Sequence, residues 1–350
     1  MGGIYLTSGS GSLKDFNDGA SITFMMHGKR IIVSLRPSRQ PSHVESDYSE
    51  PCLEDSLIRQ VNDSCKDVTW DGEDPMDEAL ERILELGKHV LADVAPAPTE
   101  AVVPPPPENN LHDLLYPPTF CFRVTTSNGA PSLIPISADE SLCLTAPSFE
   151  HYVEEDLEID ESLPQYSTQQ ISVEEILLES DLKVAGQVLV DGKKMFCKVW
   201  TSGFPNEEME NEIFSLYDIR EASLPSHTTL RVPSLLGYVK HPEAGCVIGF
   251  LREWIPGVSL REIDISTTAK NKRQKWAAQI SDTVHQLHDI KVIWCDGKPH
   301  NIIIDEQDDA WLIDFGGGRT EGWVPKELAD TVEGDLHALE KIIEFLQLSS

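Results

Sequence analysis

Two short apolar runs joined by an acidic turn form the clearest pattern in the chain. Residues 301–305 and 310–313 are rich in isoleucine and other apolar side chains, and the turn between them is acidic. Short apolar runs bounded by turn residues are typical of buried strands. The pattern therefore predicts a β-hairpin, with Asp296 before its first strand and Asp314 directly after its second.

The first part of the chain contains two further hairpin patterns, separated by polar stretches. Residues 21–35 predict two strands around a His-Gly-Lys turn, and residues 120–136 predict two strands around an Asn-Gly turn. Residues 1–20 are rich in glycine and serine, which predicts disorder. Residues 38–51 predict a polar linker, and residues 95–110, which include four consecutive prolines, predict an extended one.

Helices are predicted where apolar residues recur at a spacing of three and four. Asp74 and Pro75 precede such a segment, and they suit the N-cap and the first helical position. Residues 207–220 predict a helix rich in glutamate, and residues 272–288 predict an amphipathic helix. Residues 246–251 form an apolar run that predicts a strand.

The composition argues against several classes of function. The chain has 350 residues and a formal net charge of −31 at pH 7, which disfavours binding to nucleic acid or to anionic membranes. Its seven cysteines form no C-x-x-C pair, so neither a zinc site nor a disulfide framework is expected. Because no apolar run reaches membrane-spanning length and the start lacks a secretory segment, we expect a cytoplasmic or nuclear location.

The residues around the hairpin at 301–313 have the chemistry that phosphoryl transfer needs. That reaction depends on positioning and charge neutralisation more than on covalent chemistry. Asp296 can accept or orient a hydroxyl proton, and Lys298 can face the same phosphate. Asn301 and Asp314 offer the hard oxygen ligands that Mg²⁺ prefers. These residue types can therefore supply a base, a cation for phosphate and two metal ligands.

This pattern resembles the protein-kinase catalytic loop, H-R-D-L-x-x-x-N, followed by the magnesium-binding D-F-G turn. The chain is similar in particular to little-characterised, truncated protein-kinase-like proteins of filamentous fungi. The resemblance implies ATP and Mg²⁺ as cofactors, and an unknown protein or small molecule as the substrate. The implied fold is α+β: a two-lobed protein-kinase-like domain with a truncated C-lobe, preceded by an acidic, partly disordered N-terminal extension.

The resemblance also implies a domain organisation. Residues 1–20 are expected to be disordered, and residues 21–164 to form the acidic extension with both hairpins, the helix and the proline-rich linker. Residues 165–350 are expected to form the kinase-like domain, with an N-lobe over 165–255 and a C-lobe over 256–350.

Isolated hairpins are marginally stable in water unless they pack against something. The hairpins at 21–35 and 120–136 are therefore expected to dock onto the kinase-like domain. Extension of its N-lobe sheet is the arrangement that we expect for them.

Further site residues follow from the resemblance. Lys198 lies in the setting of the strand lysine that grips the α/β-phosphates, and Glu212 is its expected ion-pair partner, with Glu208 and Glu210 as alternatives. The remaining implied positions are the ATP-binding Val188, the hinge residues Glu253 and Ile255, the ribose-binding Ser259 and the loop-bracing Asp335.

The phosphate loop departs from the family pattern. Of G-x-G-x-x-G-x-V, only Gly186 and Val188 remain, and Asp181 and Lys183 stand in place of the first two glycines. Glycine lets a backbone approach phosphate closely. The loss of two glycines is therefore expected to weaken ATP binding.

Three other departures concern the cleft and its regulation. Trp294 and Cys295 replace the histidine and arginine before the catalytic aspartate, and Arg252 replaces an uncharged side chain at the hinge entry. The segment from Asp314 to Glu327 is too short for a regulated activation loop. The missing arginine and the short segment together predict no control by activation-loop phosphorylation.

Two functions of different classes follow. The first is an ATP- and Mg²⁺-dependent phosphotransferase, like a serine/threonine kinase, acting on a Ser/Thr or small-molecule hydroxyl with Asp296 as the base. The alternative is a pseudokinase scaffold that binds a protein partner without catalysis. The intact chemical positions favour the enzyme, and the altered phosphate loop favours the scaffold.

Overall fold

The chain divides into two compact units. The structure is a computed structural model that describes residues 4–11, 19–37, 52–64, 75–97, 110–141, 157, 159–179, 183–200, 207–222, 229–243, 245–318 and 320–348. The units are Met1–Ser148 and Phe149–Ser350. Each unit has its own hydrophobic core.

The described part of the first unit is a five-stranded sheet with helices. Its elements are β1 (Ile4–Gly11), β2 (Ala20–Met26), β3 (Lys29–Leu35), α1 (Leu53–Ser64), α2 (Pro75–Val94), α3 (Leu111–Leu115), β4 (Thr119–Ser127) and β5 (Ala130–Ile136). The strands lie in chain order across the sheet. β3 and β4 pair in parallel, because the helices connect them, and the other neighbours pair antiparallel.

The core of the first unit joins the sheet to its two long helices. Ile22, Phe24 and Ile31 of the sheet are fully buried in this core, together with Leu57 of α1 and Ile83 of α2. Each helix presents one apolar face at the spacing expected of an amphipathic helix. Burial of this shared core is what stabilises the unit.

Both predicted hairpins are present in the first unit, and α2 begins at Pro75. The structure corrects the expectation that they extend the sheet of the second unit, because β3 and β4 pair with each other instead. Within residues 1–20, where disorder was expected, Ile4–Gly11 forms strand β1 and pairs with β2. The linkers predicted at 38–51 and 95–110 lie almost entirely outside the described residues.

The second unit combines a larger sheet, a smaller sheet and three long helices among its described residues. Its elements are β6 (Gln165–Ser167), β7 (Ser172–Glu179), β8 (Lys183–Val190), β9 (Lys193–Trp200), α4 (Glu207–Glu221), β10 (Leu235–Lys240), β11 (Val247–Glu253), β12 (Gly257–Ser259), α5 (Lys270–Asp289), β13 (Ile302–Asp305), β14 (Ala310–Leu312) and α6 (Val332–Phe345). The larger sheet has the order β6-β10-β11-β9-β8-β7, and the smaller one β12-β13-β14.

The predicted elements of the second unit are found close to their expected positions. The hairpin at 301–313 corresponds to β13 and β14, and the amphipathic helix predicted at 272–288 corresponds to α5. Trp276 and Ile280 of α5 are buried in the core of the unit. In the described part of the chain, no helix combines the length and the apolar character that crossing a bilayer requires.

The second unit begins before residue 165, where the sequence places the boundary. Leu163 is buried in its core at 7% exposure. The backbone N–H of Asp160 donates to the hydroxyl of Tyr238 at 3.1 Å, and the Asp160 carboxylate lies 3.3 Å from Arg220. These contacts attach the segment before β6 to the sheet and to α4.

Candidate active site

Lys198 is held within the larger sheet, on strand β9. Because side chains alternate along a strand, Phe196 and Lys198 lie on the same face. Lys198 is only 5% exposed, and a buried ammonium group needs partners. Its Nζ lies 2.6 Å from the carboxylate of Glu212 and 2.8 Å from that of Asp314.

Glu212 reaches Lys198 from the buried side of helix α4. Glu212, Ile213 and Leu216 are all buried, so this face of a glutamate-rich helix points inward. The carboxylate of Glu208, one turn earlier, lies 3.2 Å from the Lys198 ammonium, farther than that of Glu212. The helix therefore brings two carboxylates to the same lysine.

The pKa values of this cluster reflect competition between two carboxylates for one ammonium group. Burial lowers the pKa of Lys198, but attraction by Glu212 and Asp314 outweighs burial and raises that pKa above its usual range. Burial raises the pKa of Glu212 to about 7, against the opposing effect of Lys198. Burial also favours a higher pKa for Asp314, yet Lys198 outweighs it and the pKa is lowered. Asp314 is therefore the carboxylate of this pair that stays ionised near neutral pH.

Asp296 is fixed through both of its carboxylate oxygens. The hydroxyl of Thr320 donates to Oδ1 of Asp296 at 2.8 Å, and the ammonium of Lys298 pairs with Oδ2. Lys298 also donates to the Thr320 hydroxyl oxygen at 2.7 Å. The three side chains form a closed triangle, which holds a possible base beside a cation.

Asn301 and Asp314 offer oxygen atoms suited to a metal ion. The Asn301 amide nitrogen donates to the backbone carbonyl of Asp296 at 2.9 Å, which leaves the amide oxygen to face a cation. The N–H of Ile313 donates to the Asn301 carbonyl at 3.0 Å, and Asp314 follows directly. An amide and a carboxylate fit Mg²⁺, which keeps several waters as ligands. Among the described residues, no group of three or more His, Cys, Asp or Glu forms a richer site.

The backbone is in an unusual conformation on both sides of the hairpin, at Cys295 before it and at Asp314 after it. Cys295 has a φ of 71° and Asp314 a φ of 65°, and such values are uncommon outside glycine. Asp335 accepts hydrogen bonds from the N–H groups of Trp294 and Cys295 at 2.8 and 2.9 Å. The indole of Trp294 donates to the carbonyl of Ile313 at 2.9 Å. These bonds join the loop at residues 294–301 to the residues before Asp314 and stabilise its strained conformation.

The positions implied as nucleotide contacts lie on β8, at the end of β11 and just beyond it. Val188 is buried on β8, Glu253 ends β11, and Ile255 follows two residues later. The hydroxyl of Ser259 donates to the carbonyl of Pro299 at 3.2 Å, so β12 contacts the loop at residues 294–301. The nucleotide contacts of these four residues remain predictions.

Lys183 reaches the Lys198 cluster from the start of β8, where the family pattern has a glycine. Its Nζ lies 2.7 Å from Oε1 of Glu208, and the same oxygen lies 3.2 Å from Nζ of Lys198. Asp181 lies outside the described residues. Gly186 is retained for packing, because an added Cβ would lie 2.1 Å from a backbone carbonyl oxygen of β7.

Two contributors to this site were missed in the sequence. Thr320 follows the glycine run after Asp314, and only its nearness to that aspartate could have indicated a role. Lys183 was considered only as the loss of a glycine, since the sequence does not indicate that it reaches Glu208.

Comparison with known proteins gives one family match, in the second unit, and three similar proteins. Residues 218–334 match the family described as the protein kinase domain. A serine/threonine-protein kinase-like protein of Arabidopsis thaliana is 34% identical over 114 residues, which cover 31% of this chain and 30% of that protein. The 3-deoxy-D-manno-octulosonic acid kinase of Photobacterium profundum is 36% identical over 70 residues, or 19% of this chain and 29% of that protein. A serine/threonine-protein kinase of Saccharomyces cerevisiae is 39% identical over 70 residues, or 19% of this chain and 9% of that protein.

The matched regions span less than a third of the length of each of these relatives. The family match covers the hairpin and the four residues Asp296, Lys298, Asn301 and Asp314. Mixed helix and sheet, the family match and the kinase relatives are mutually consistent. Residues 218–334 are therefore similar to the protein kinase domain.

Proposed function

We propose that the second unit is a phosphotransferase. It would move the terminal phosphoryl group of a magnesium-bound nucleoside triphosphate, ATP by resemblance, to an acceptor hydroxyl. One observation carries this proposal: Lys198 contacts Glu212 at 2.6 Å and Asp314 at 2.8 Å. That arrangement puts a phosphate-binding cation beside a carboxylate able to hold a metal ion, as phosphoryl transfer requires.

Asp296 is the proposed base for the transfer. As the acceptor oxygen bonds to the terminal phosphorus, its proton passes to Asp296 and the bond from phosphorus to the leaving diphosphate oxygen breaks. Lys298 neutralises charge on the transferred group. Thr320 hydrogen-bonds to both side chains and so fixes the position of the cation relative to the base.

Asn301 and Asp314 would hold the metal ion through their side-chain oxygens. When bound, Mg²⁺ neutralises charge on the phosphate oxygens. Lys198 binds the phosphates that are not transferred, and Glu212 orients Lys198. The lowered pKa of Asp314 supports this division of roles, because an ionised carboxylate is the better cation ligand.

The acceptor is a Ser/Thr hydroxyl of a protein or a hydroxyl of a small molecule. The names of the similar proteins include both serine/threonine-protein kinases and the kinase of a sugar acid, so they support either acceptor. The experiment is a transfer assay with labelled ATP and GTP in parallel, Mg²⁺, and two acceptor sets: a Ser/Thr peptide library and a panel of sugars. Transfer that is lost in Asp296→Asn supports the proposal, and no turnover with either nucleotide contradicts it.

A second candidate is the pseudokinase scaffold. The feature that favours it is the phosphate loop, in which two glycines of the family pattern are replaced. A scaffold would bind a protein partner without turning over nucleotide. Folded protein that neither transfers nor hydrolyses nucleotide, and binds it weakly, would favour this candidate over the enzyme.

A further inference from the structure

The larger sheet contains a buried arginine that the proposed chemistry does not use. Arg252 lies on β11 directly before Glu253 and is only 3% exposed. Arg252 lies opposite Phe196 of β9, and Lys198 lies opposite the β11 residue two positions before Arg252. Side chains opposite each other on paired strands project from the same face, so Arg252, Phe196 and Lys198 share one face of the sheet.

The guanidinium of Arg252 is fixed in place but still has a free donor. Its central carbon lies 3.8 Å from the centroid of the Phe196 ring, and Nη1 donates to the carbonyl of Glu253 at 3.2 Å. Within the described part of the chain, the buried Nε has no hydrogen-bond partner. A buried donor without an acceptor is costly, so an acceptor supplied by a ligand would stabilise this side chain.

Arg252 stays charged despite its burial. Burial lowers its pKa to about 10, and the carboxylates of Glu212 and Asp314 oppose that effect. The group is therefore a cation at neutral pH, with several N–H donors in a fixed plane.

Arg252 also changes the hydrogen-bonding groups that the end of β11 offers to a nucleotide base. By resemblance, Glu253 would offer a backbone group to the base, and its carbonyl accepts a hydrogen bond from Nη1 of Arg252, which places the guanidinium beside that group. Adenine carries an amino donor at position 6 of the purine, whereas guanine carries a carbonyl acceptor there. A donor-rich edge therefore suits the carbonyl better than the amino group. In protein–DNA recognition, arginine paired with O6 and N7 of guanine is the commonest specific contact, which shows that the two groups are complementary.

We propose that Arg252 determines base specificity, so that the cleft prefers a purine nucleotide with a carbonyl at position 6 over ATP. The expected ligands are guanine and hypoxanthine nucleoside triphosphates. This inference rests on the proposed function and specifies which nucleotide supplies the phosphoryl group.

The test is calorimetric titration of the full chain with GTP, ITP and ATP, each with Mg²⁺. GTP and ITP are expected to bind about tenfold more tightly than ATP, or better, because each gains a hydrogen bond to a charged group. ITP has the carbonyl but lacks the 2-amino group of guanine. An equal gain for ITP and GTP therefore excludes the 2-amino group as the source of the preference and leaves the edge at positions 1 and 6.

Arg252→Met is the first variant, because it keeps an unbranched chain over Phe196 and removes every donor. The preference for GTP and ITP is expected to fall below about threefold in this variant. Arg252→Lys keeps the charge without the planar fork and is expected to lose most of the preference. Where a variant does not fold, the ranking of the three nucleotides by the natural chain decides the question.

Two results would overturn the inference. One is natural protein that binds ATP as tightly as GTP and ITP, and the other is a preference that survives in Arg252→Met. Binding of none of the three nucleotides overturns the inference and the proposed function together. The failure of the specificity claim is thus distinguishable from failure of the whole site.

Discussion

At the scale of residues, the same carboxylate chemistry serves different roles because the surroundings differ. Glu212 is 1% exposed and burial dominates its pKa, whereas Asp314 is governed by the ammonium of Lys198. Asp296 is held by Lys298 and Thr320. In the proposed chemistry, Glu212 positions Lys198, Asp314 holds the metal ion and Asp296 accepts the proton.

Asp296→Asn is expected to abolish transfer while leaving nucleotide affinity nearly unchanged. The amide keeps the shape of the side chain but cannot take the hydroxyl proton, and such groups contribute about 10²–10⁴-fold to rate. Steady-state transfer and calorimetric binding on the same preparation provide the measurement. Activity within about tenfold of the natural chain would show that Asp296 is not the base.

Thr320→Val is expected to lower kcat by about tenfold or more, because one hydrogen bond to a charged carboxylate is lost. Thr320→Ser is the matched control, since it keeps the hydroxyl and removes only a methyl group. Recovery of kcat in the serine variant, with KM for nucleotide unchanged in both, would identify Thr320 as a positioning residue. Equal loss in both variants would contradict that role.

The residues of one hairpin could be named from the sequence because their spacing is local. Asp296, Lys298, Asn301 and Asp314 lie within one short stretch, and the apolar runs between them fix the geometry. Thr320 was missed because its bonds to Asp296 and Lys298 depend on how the segment after Asp314 folds back.

At the scale of elements, the site depends on the contact between α4 and β9. The sequence predicts both elements but leaves several glutamates as alternative partners for Lys198. Helix packing decides among them, since it buries Glu212 and leaves Glu208 half-buried. Strand β1 was not predicted, because its Gly/Ser-rich sequence carries little strand signal. Its pairing with the neighbouring strand β2 stabilises it instead.

The burial of Glu212 predicts a pH dependence of stability. Its pKa rises from an ordinary value of 4.5 to about 7 in the folded protein. The folded state then binds the proton more tightly than the unfolded state, so this contribution is full below pH 4.5 and is lost as pH rises to about 7. Glu212→Gln is expected to remove this contribution. Between pH 5 and 7 the unfolding free energy of the variant should then fall by about 1–3 kcal/mol less than that of the natural chain.

Urea unfolding in EDTA, followed by tryptophan fluorescence, measures this effect. Six of the seven tryptophans follow residue 149, so the signal reports mainly on the second unit. Glu210→Gln on the same helix is the matched control and should keep the pH dependence of the natural chain. Parallel pH profiles for Glu212→Gln and the natural chain would contradict the account.

At the scale of the whole molecule, the chain consists of two units with separate cores. The sequence indicates the hairpins of the first unit but not their pairing with each other, because parallel pairing across three helices leaves no local signature. It also places the start of the second unit at residue 165, since the segment before it has little apolar pattern.

A fragment of residues 165–350 is expected to be less stable than a fragment of residues 149–350 by about 2–4 kcal/mol. It loses the buried Leu163 and the hydrogen bond from Asp160 to Tyr238, which together contribute on this order. Thermal unfolding of both fragments provides the comparison. Equal melting temperatures would show that the segment before β6 does not stabilise the unit.

We propose that Lys198, Asn301 and Asp314 form one magnesium–nucleotide site. Calorimetry of ATP and GTP binding to the full chain, with Mg²⁺ and with EDTA, measures whether binding depends on the metal. Removal of Mg²⁺ is expected to weaken binding by about tenfold or more, and Asp314→Ala is expected to abolish this metal dependence. Equal, metal-dependent binding by the natural chain and Asp314→Ala would show that Asp314 does not hold the metal ion.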